Sequence, residues 1–352
     1  MRLLPLPFPK LKLLLLTLMH FATDGLCSYI VFTRLYPQNP AYALVIFFAY
    51  NILAFVTQSP VGILIDKYNK PKFFLAVSIC AMVIGYILSD FWILSVTFVG
   101  ISNSMFHVAG GKYVTDKSGN DITHLGIFVS TGAIGLCLGQ RYASFVFLPY
   151  IFFAIIIVCG LVFIFSEQEE SKSYAEEYES HDGARIALIA VLLVVLIRSF
   201  VGKTVSPDFT LLRYEFLLIA IATALGKAAG GICSKRFGIG KTTYISMAVA
   251  AVCLTIGTWN IYSFIFGVFA FNFSMPQTLY FANVILKGKE GFAFGTLAAT
   301  LAPGYFLAMT FEYSLVMRVF TAIMCILSMI TIVILSKRIN YVDSTAITNN
   351  NS

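Results

Sequence analysis

Apolar runs about 20 residues long follow one another along this chain from Leu11 to Leu335. A run of that length, coiled as a helix, crosses a hydrocarbon core about 30 Å thick. Twelve such spans can be read, at approximately 11–33, 42–65, 73–89, 91–110, 125–141, 143–165, 185–205, 214–232, 242–258, 260–284, 291–311 and 315–335, numbered here helix 1 to helix 12. The expected fold class is therefore an all-α membrane protein with twelve transmembrane helices. The composition agrees: 59% of the 352 residues are hydrophobic and 12% charged, against about 25% charged in soluble domains, and the mean hydropathy is +0.85.

The formal charge of +7 does not point to nucleic acid, because the basic residues lie between apolar runs and form no basic face on a water-exposed module. They report topology. With the N-terminus inside, 17 Lys and Arg fall in cytoplasmic segments and four, Arg34, Arg141, Lys203 and Arg213, in external ones. The positive-inside rule thus sets both termini in the cytoplasm, and the expected location is the plasma membrane. All seven Cys lie within apolar spans, where they act as small packing residues. No cofactor and no metal centre is expected.

The long polar interruption, Ser166 to Ala184, is rich in Glu and Ser and reads as a solvated linker. It divides the chain into a six-helix bundle over 1–165, a linker over 166–184, and a second six-helix bundle with a short tail over 185–352. Between the halves Gly62, Ile63 and Lys72 recur as Gly231, Ile232 and Lys241, all 169 residues on, and Gly135 recurs as Gly304. These matches fall at equivalent helix positions, so two pseudo-symmetric bundles from a parallel duplication are expected.

Polar groups inside the spans are selective. A charged side chain at the bilayer centre costs about 2.5 to 3.5 kcal/mol, so each needs a partner or a wet cavity. Helix 1 carries His20 and Asp24, helix 2 Asn51 and Gln58, helix 4 Asn103 and His107, helix 5 Gln140, helix 7 Arg198, helix 8 Lys227 and helix 10 Asn272 and Gln277, whereas helices 3, 6, 9 and 12 are almost bare. Every third helix therefore faces lipid, and the others surround a central aqueous path. His20 and Asp24 share a helical face, as do Asn103 and His107. Asp24 carries a proton or touches substrate, or is a buried carboxylate satisfied by His20 or a neighbouring helix. Arg198 is its counter-charge or binds an anionic substrate, and Lys227 lines the path or snorkels. The expected pathway is His20, Asp24, Gln58, Asn103, His107, Arg198, Lys227 and Gln277.

The segment Gly62-Ile-Leu-Ile-Asp66-Lys67-Tyr-Asn-Lys70-Pro-Lys72 resembles the helix 2 to 3 loop motif of the major facilitator superfamily. His20-Phe-Ala-Thr-Asp24, Gln58-Ser-Pro-Val-Gly62 and Gly100-Ile-Ser-Asn-Ser-Met-Phe-His107 are similar to segments of its fosmidomycin-resistance-like efflux transporters. The resemblance implies a secondary transporter for a small organic solute, driven by proton antiport in drug efflux, working as a monomer in the bilayer. It also implies a gate at Gly62, Asp66, Lys67, Lys70 and Lys72, with Asp66 latching onto the N-terminus of helix 11. The equivalent position in the second half is Lys235, so a one-sided latch is expected. No metalloprotease or nucleophile-elbow motif is present, which argues against an enzyme. A channel or uncoupled facilitator is the stronger alternative, a membrane-embedded enzyme the weaker.

Overall fold

The structure is a computed structural model that describes residues 10–142, 144–166, 181–205, 211–256, 259–311 and 315–349. Among them eleven helices are long and apolar enough to cross a membrane: Lys10–Gln38, Pro40–Tyr68, Pro71–Asp90, Trp92–Ser118, Ile122–Arg141, Leu148–Phe165, Gly183–Thr204, Arg213–Phe237, Ile239–Ile256, Glu290–Ala308 and Val316–Arg338. They correspond to helices 1–9, 11 and 12. Helix 10 is the exception, built of two pieces, Ile261–Phe271 and Ser274–Ile285. Pro276 explains the break, since its ring excludes the carbonyl four residues earlier, that of Asn272, from a regular turn. Helix 7 begins at His181, earlier than the expected 185, and residues 167–180 of the expected linker lie outside the described residues.

Helices 3, 6, 9 and 12 line the periphery, exposing Ile84 and Ile87, Val158 and Leu161, Ile245 and Val252, and Ile323 and Ile330. Helices 1, 4 and 5, which carry polar groups, are the most enclosed of these spans, whereas helix 2, which carries Asn51 and Gln58, is the least. Two seams join the halves: helix 2 against helix 11 and helix 5 against helix 8. Both are made by glycine at backbone contact distance. A Cβ on Gly62 would lie 2.3 Å from the Gly291 carbonyl oxygen, and one on Gly231 would lie 2.5 Å from that of Ile122. Likewise a Cβ on Gly295 would lie 2.1 Å from the Gln58 oxygen and one on Gly126 2.7 Å from the Lys227 oxygen. In both comparisons every residue of one seam has its counterpart 169 residues away in the other, so the internal repeat is expressed in the packing itself.

Packing is not uniform along the axis. At the end where helix 6 runs out toward the linker, one apolar core draws on both halves, with Leu16, Tyr113, Phe128 and Phe163 packed into the same cluster as Val195, Phe281, Phe294 and Ile332. At the opposite end each half keeps its own core, Leu26, Ile30, Val99 and Phe152 in the first and Phe200, Met247, Leu254 and Phe264 in the second. There the halves touch mainly along the seams, through Phe48 against Phe306 and Arg141 over Phe216.

Candidate functional site

Between the halves lies a cavity in two connected parts, of about 480 and 150 Å³, which share Arg198, Lys227, Met275 and Leu301. The larger part lies within the second half and runs from Arg198 past Thr223 and Asn272 to Lys203 and Leu211, at the end of the molecule away from the linker. The smaller is central and bounded by both halves: His20, Asp24, Gln58 and His107 on one side, Arg198, Lys227 and Thr278 on the other.

The cationic wall comes from helices 7 and 8. The Arg198 guanidinium donates to the Thr278 hydroxyl at 3.3 Å. Among the described residues no carboxylate lies within ion-pair distance of either Arg198 or Lys227. Two cations therefore face the cavity without a carboxylate partner among the described residues.

The opposite wall is a compact cluster. His20 Nε2 lies 3.2 Å from Asp24 Oδ2, His107 Nε2 lies 3.4 Å from Asp24 Oδ1, and the two Nε2 atoms are 3.0 Å apart. Helix 5 is interrupted at Val129–Thr131, between Phe128 and Gly132. His20 Nδ1 meets the Phe128 carbonyl oxygen there at 2.7 Å. His107 Nδ1 meets the Asn103 oxygen at 2.8 Å, and Asn103 Nδ2 donates to Asp24 Oδ1 at 3.2 Å. Among the described residues this is the one grouping of His, Cys, Asp and Glu whose ligand atoms lie close enough to hold a metal ion.

Six of the eight expected pathway residues, His20, Asp24, Gln58, His107, Arg198 and Lys227, line the central cavity, and Asn103 supports Asp24 from behind. Gln58 spends its amide nitrogen on the Ala54 carbonyl, leaving Oε1 without a hydrogen bond. Gln277 stands apart. It is fully buried, donates to Ser234 at 3.0 Å and accepts from Thr243 at 2.9 Å, so its amide ties helix 10 to helices 8 and 9. Thr278 was missed, because a threonine in an apolar run carries no distinguishing signal.

Toward the linker the cavity is closed. Asp66 accepts hydrogen bonds from the Gly291 and Phe292 N–H groups at 2.9 and 2.8 Å. Lys112 lies 3.2 Å from Asp66, 3.3 Å from Glu290 and 3.3 Å from Asp116. Lys112 and Asp116, four residues apart, share one face of helix 4. Asn283 adds bonds to Thr115 and Asn120 at 3.1 and 2.9 Å. Of the remaining motif lysines, Lys72 donates to the Ser166 carbonyl at 2.7 Å, while Lys67 and Lys70 lie exposed.

The contact of Asp66 with backbone N–H groups has no copy at Lys235, where a different contact stands. Lys235 pairs with Asp121, the residue that caps the N-terminus of helix 5 by accepting from Thr123 at 2.8 Å. The second seam therefore has its own contact, with a lysine in place of the aspartate. Burial alone would raise the Asp121 carboxyl, but the His124 imidazole and the Lys235 ammonium beside it outweigh burial and hold it below the ordinary carboxylate range.

No protein-family profile matches the chain, and no curated protein matches it significantly. Solved structures do. The chain is similar to the E. coli fucose:proton symporter FucP, with a TM-score of 0.65 at 12% identity over 93% of this chain and 98% of that one. A bacterial homologue of the iron transporter ferroportin, solved in an outward-facing state, matches with a TM-score of 0.60 at 14% identity, covering 95% and 98%. The human organic anion transporter TETRAN matches with a TM-score of 0.60 at 13% identity, covering 92% and 100%. The fold is that of the major facilitator transporters, and the chain is a multi-pass membrane protein.

Proposed function

We propose that this chain is a secondary transporter that moves a small organic solute across the plasma membrane by alternating access. The observation that carries the reading is the central cavity, where two cations without a carboxylate partner among the described residues face a histidine–aspartate cluster across the boundary between pseudo-symmetric halves. Buried charge of that kind is tolerated where a cavity or ligand compensates it. Arg198, with its planar fork of donors, and Lys227 hold an anionic group of the solute. Asp24 and its histidines carry the coupling proton. With the linker and both termini in the cytoplasm, the shared core and the Asp66 contacts close the cytoplasmic side, so the conformation described is outward-facing. The fosmidomycin-resistance resemblance favours efflux.

A carrier and a channel separate cleanly in proteoliposomes. A thermal-shift screen of small organic anions, cations and drugs supplies a probe, because a ligand at 100 times its dissociation constant stabilises the native state by about 2.7 kcal/mol. The expected outcome is saturable counterflow of that probe, with uphill accumulation when a pH gradient is imposed. Flux that rises linearly without exchange would establish a channel, and exchange indifferent to the gradient would remove the proton.

A further inference from the structure

The hydrogen bonds around His20 and His107 fix where their lone pairs point. Each Nδ1 faces a carbonyl oxygen, at 2.7 Å from Phe128 and 2.8 Å from Asn103. A carbonyl can only accept, so each Nδ1 carries the hydrogen and donates it. In the neutral ring that leaves both Nε2 atoms as bare acceptors, and they face each other at 3.0 Å beside the carboxylate of Asp24. The one donor found there among the described residues is Asn103 Nδ2, 3.2 Å from Asp24 Oδ1. Two nitrogen and two oxygen acceptors thus converge on one point, an arrangement that calls for a cation at its centre.

The spacing matches a coordinated ion. Bonds of about 2.0 to 2.1 Å at tetrahedral angles set neighbouring ligand atoms about 3.3 Å apart; the two Nε2 atoms are 3.0 Å apart, and each faces its own oxygen of Asp24, His20 at 3.2 Å from Oδ2 and His107 at 3.4 Å from Oδ1. A shared proton bridges two acceptors, whereas a metal ion engages all three residues together. The surroundings fit as well: a metal-ligating histidine characteristically donates its other nitrogen to a carbonyl or carboxylate, as both rings do, and Asn103 orients the carboxylate. Helix 5 leaves the space open at Gly132, where a Cβ would fall 2.2 Å from Asp24 Oδ2 and 2.5 Å from His20 Nε2. Two imidazoles and one carboxylate suit zinc and its first-row neighbours, whereas magnesium and calcium prefer oxygen.

We propose that His20, Asp24 and His107 bind a divalent transition-metal ion in the central cavity, leaving one coordination position for water or solute. The site is new relative to the expectation of no metal centre, because a histidine on helix 4 could not be matched to helix 1 by sequence spacing. Its bearing on transport rests on the reading of this cavity as the transport route; the binding itself does not.

The test uses full-length protein in detergent, free of any histidine tag, titrated with Zn(II) by calorimetry and with Co(II) by visible absorption. One ion per chain is expected, with a Co(II) spectrum of tetrahedral type. His107→Gln should weaken binding at least tenfold. Gly132→Ala should also weaken it at least tenfold with all three ligands present, which guards against His107→Gln failing to fold. His124→Gln, altering a histidine outside the cluster, should bind as wild type. Absence of binding by monodisperse wild-type protein would overturn the site, as would affinity unchanged in both His107→Gln and Gly132→Ala. Saturable counterflow without metal binding would remove the metal alone, and metal binding with linear flux would remove the carrier alone.

Discussion

Arg198 and Lys227 carry their charges beside a cavity, with no carboxylate in ion-pair distance among the described residues, and that arrangement was partly legible from sequence. The penalty for a lone charge in a membrane span made each of them a candidate. His20, Asp24, Asn103 and His107 were legible too, from four-residue spacings that set each pair on one face. What could not be read was mutual placement: Gln277 resembled Gln58 in the sequence, yet one packs between helices and the other lines the cavity. Gly132 gave no signal, since its role is the space it leaves. The guanidinium of Arg198 offers a planar donor fork that an ammonium cannot copy. Arg198→Lys should therefore lower counterflow about tenfold or more at unchanged expression. Wild-type kinetics in that variant would reduce Arg198 to a general structural charge.

At the scale of helices, the two seams share their glycine contacts and differ in their polar ends. Asp66 is 12% exposed and accepts two backbone N–H bonds besides facing Lys112. Hydrogen bonds to charged groups contribute about 1.5 to 3 kcal/mol each. Lys235 is 60% exposed, and surface pairs contribute about 0 to 1 kcal/mol. Both seams end in polar contacts, but unequal ones. Asp66→Asn should make a cysteine at position 104 at least tenfold more reactive toward a thiol reagent applied from the linker side, with Lys235→Gln changing it less than threefold. Equal reactivity in wild type and Asp66→Asn would dismiss the latch. The offset of 169 residues foretold which helices correspond, whereas the break in helix 10 was signalled by Pro276 and overlooked, because the apolar run continues through it.

Across the whole molecule, the helix count followed from hydropathy alone, since the bilayer dictates span length. The conformation did not. Inward- and outward-facing states bury the same helices and differ in which end shares a core, a distinction without a sequence signature. Sidedness rests on the distribution of basic residues, and it yields a direct check. A cysteine introduced at Ser173, in the linker segment outside the described residues, should resist an impermeant thiol reagent in intact cells and react once the membrane is opened. Labelling in intact cells would invert the topology and make the closed end the external one.

The three carboxylates gathered on Lys112 give the closed end an unusual failure mode. Asp66 and Glu290 belong to opposite halves and repel each other; a single ammonium from helix 4 turns that repulsion into cohesion. The closure is thus held by a keystone. Depriving a buried ion pair of one partner costs about 3 to 5 kcal/mol, and here the loss would also leave like charges facing across the joint. A small rotation of helix 4, which also carries His107, would be felt at both places: the occupant of the cavity and the tension at the gate would be read by one rigid rod.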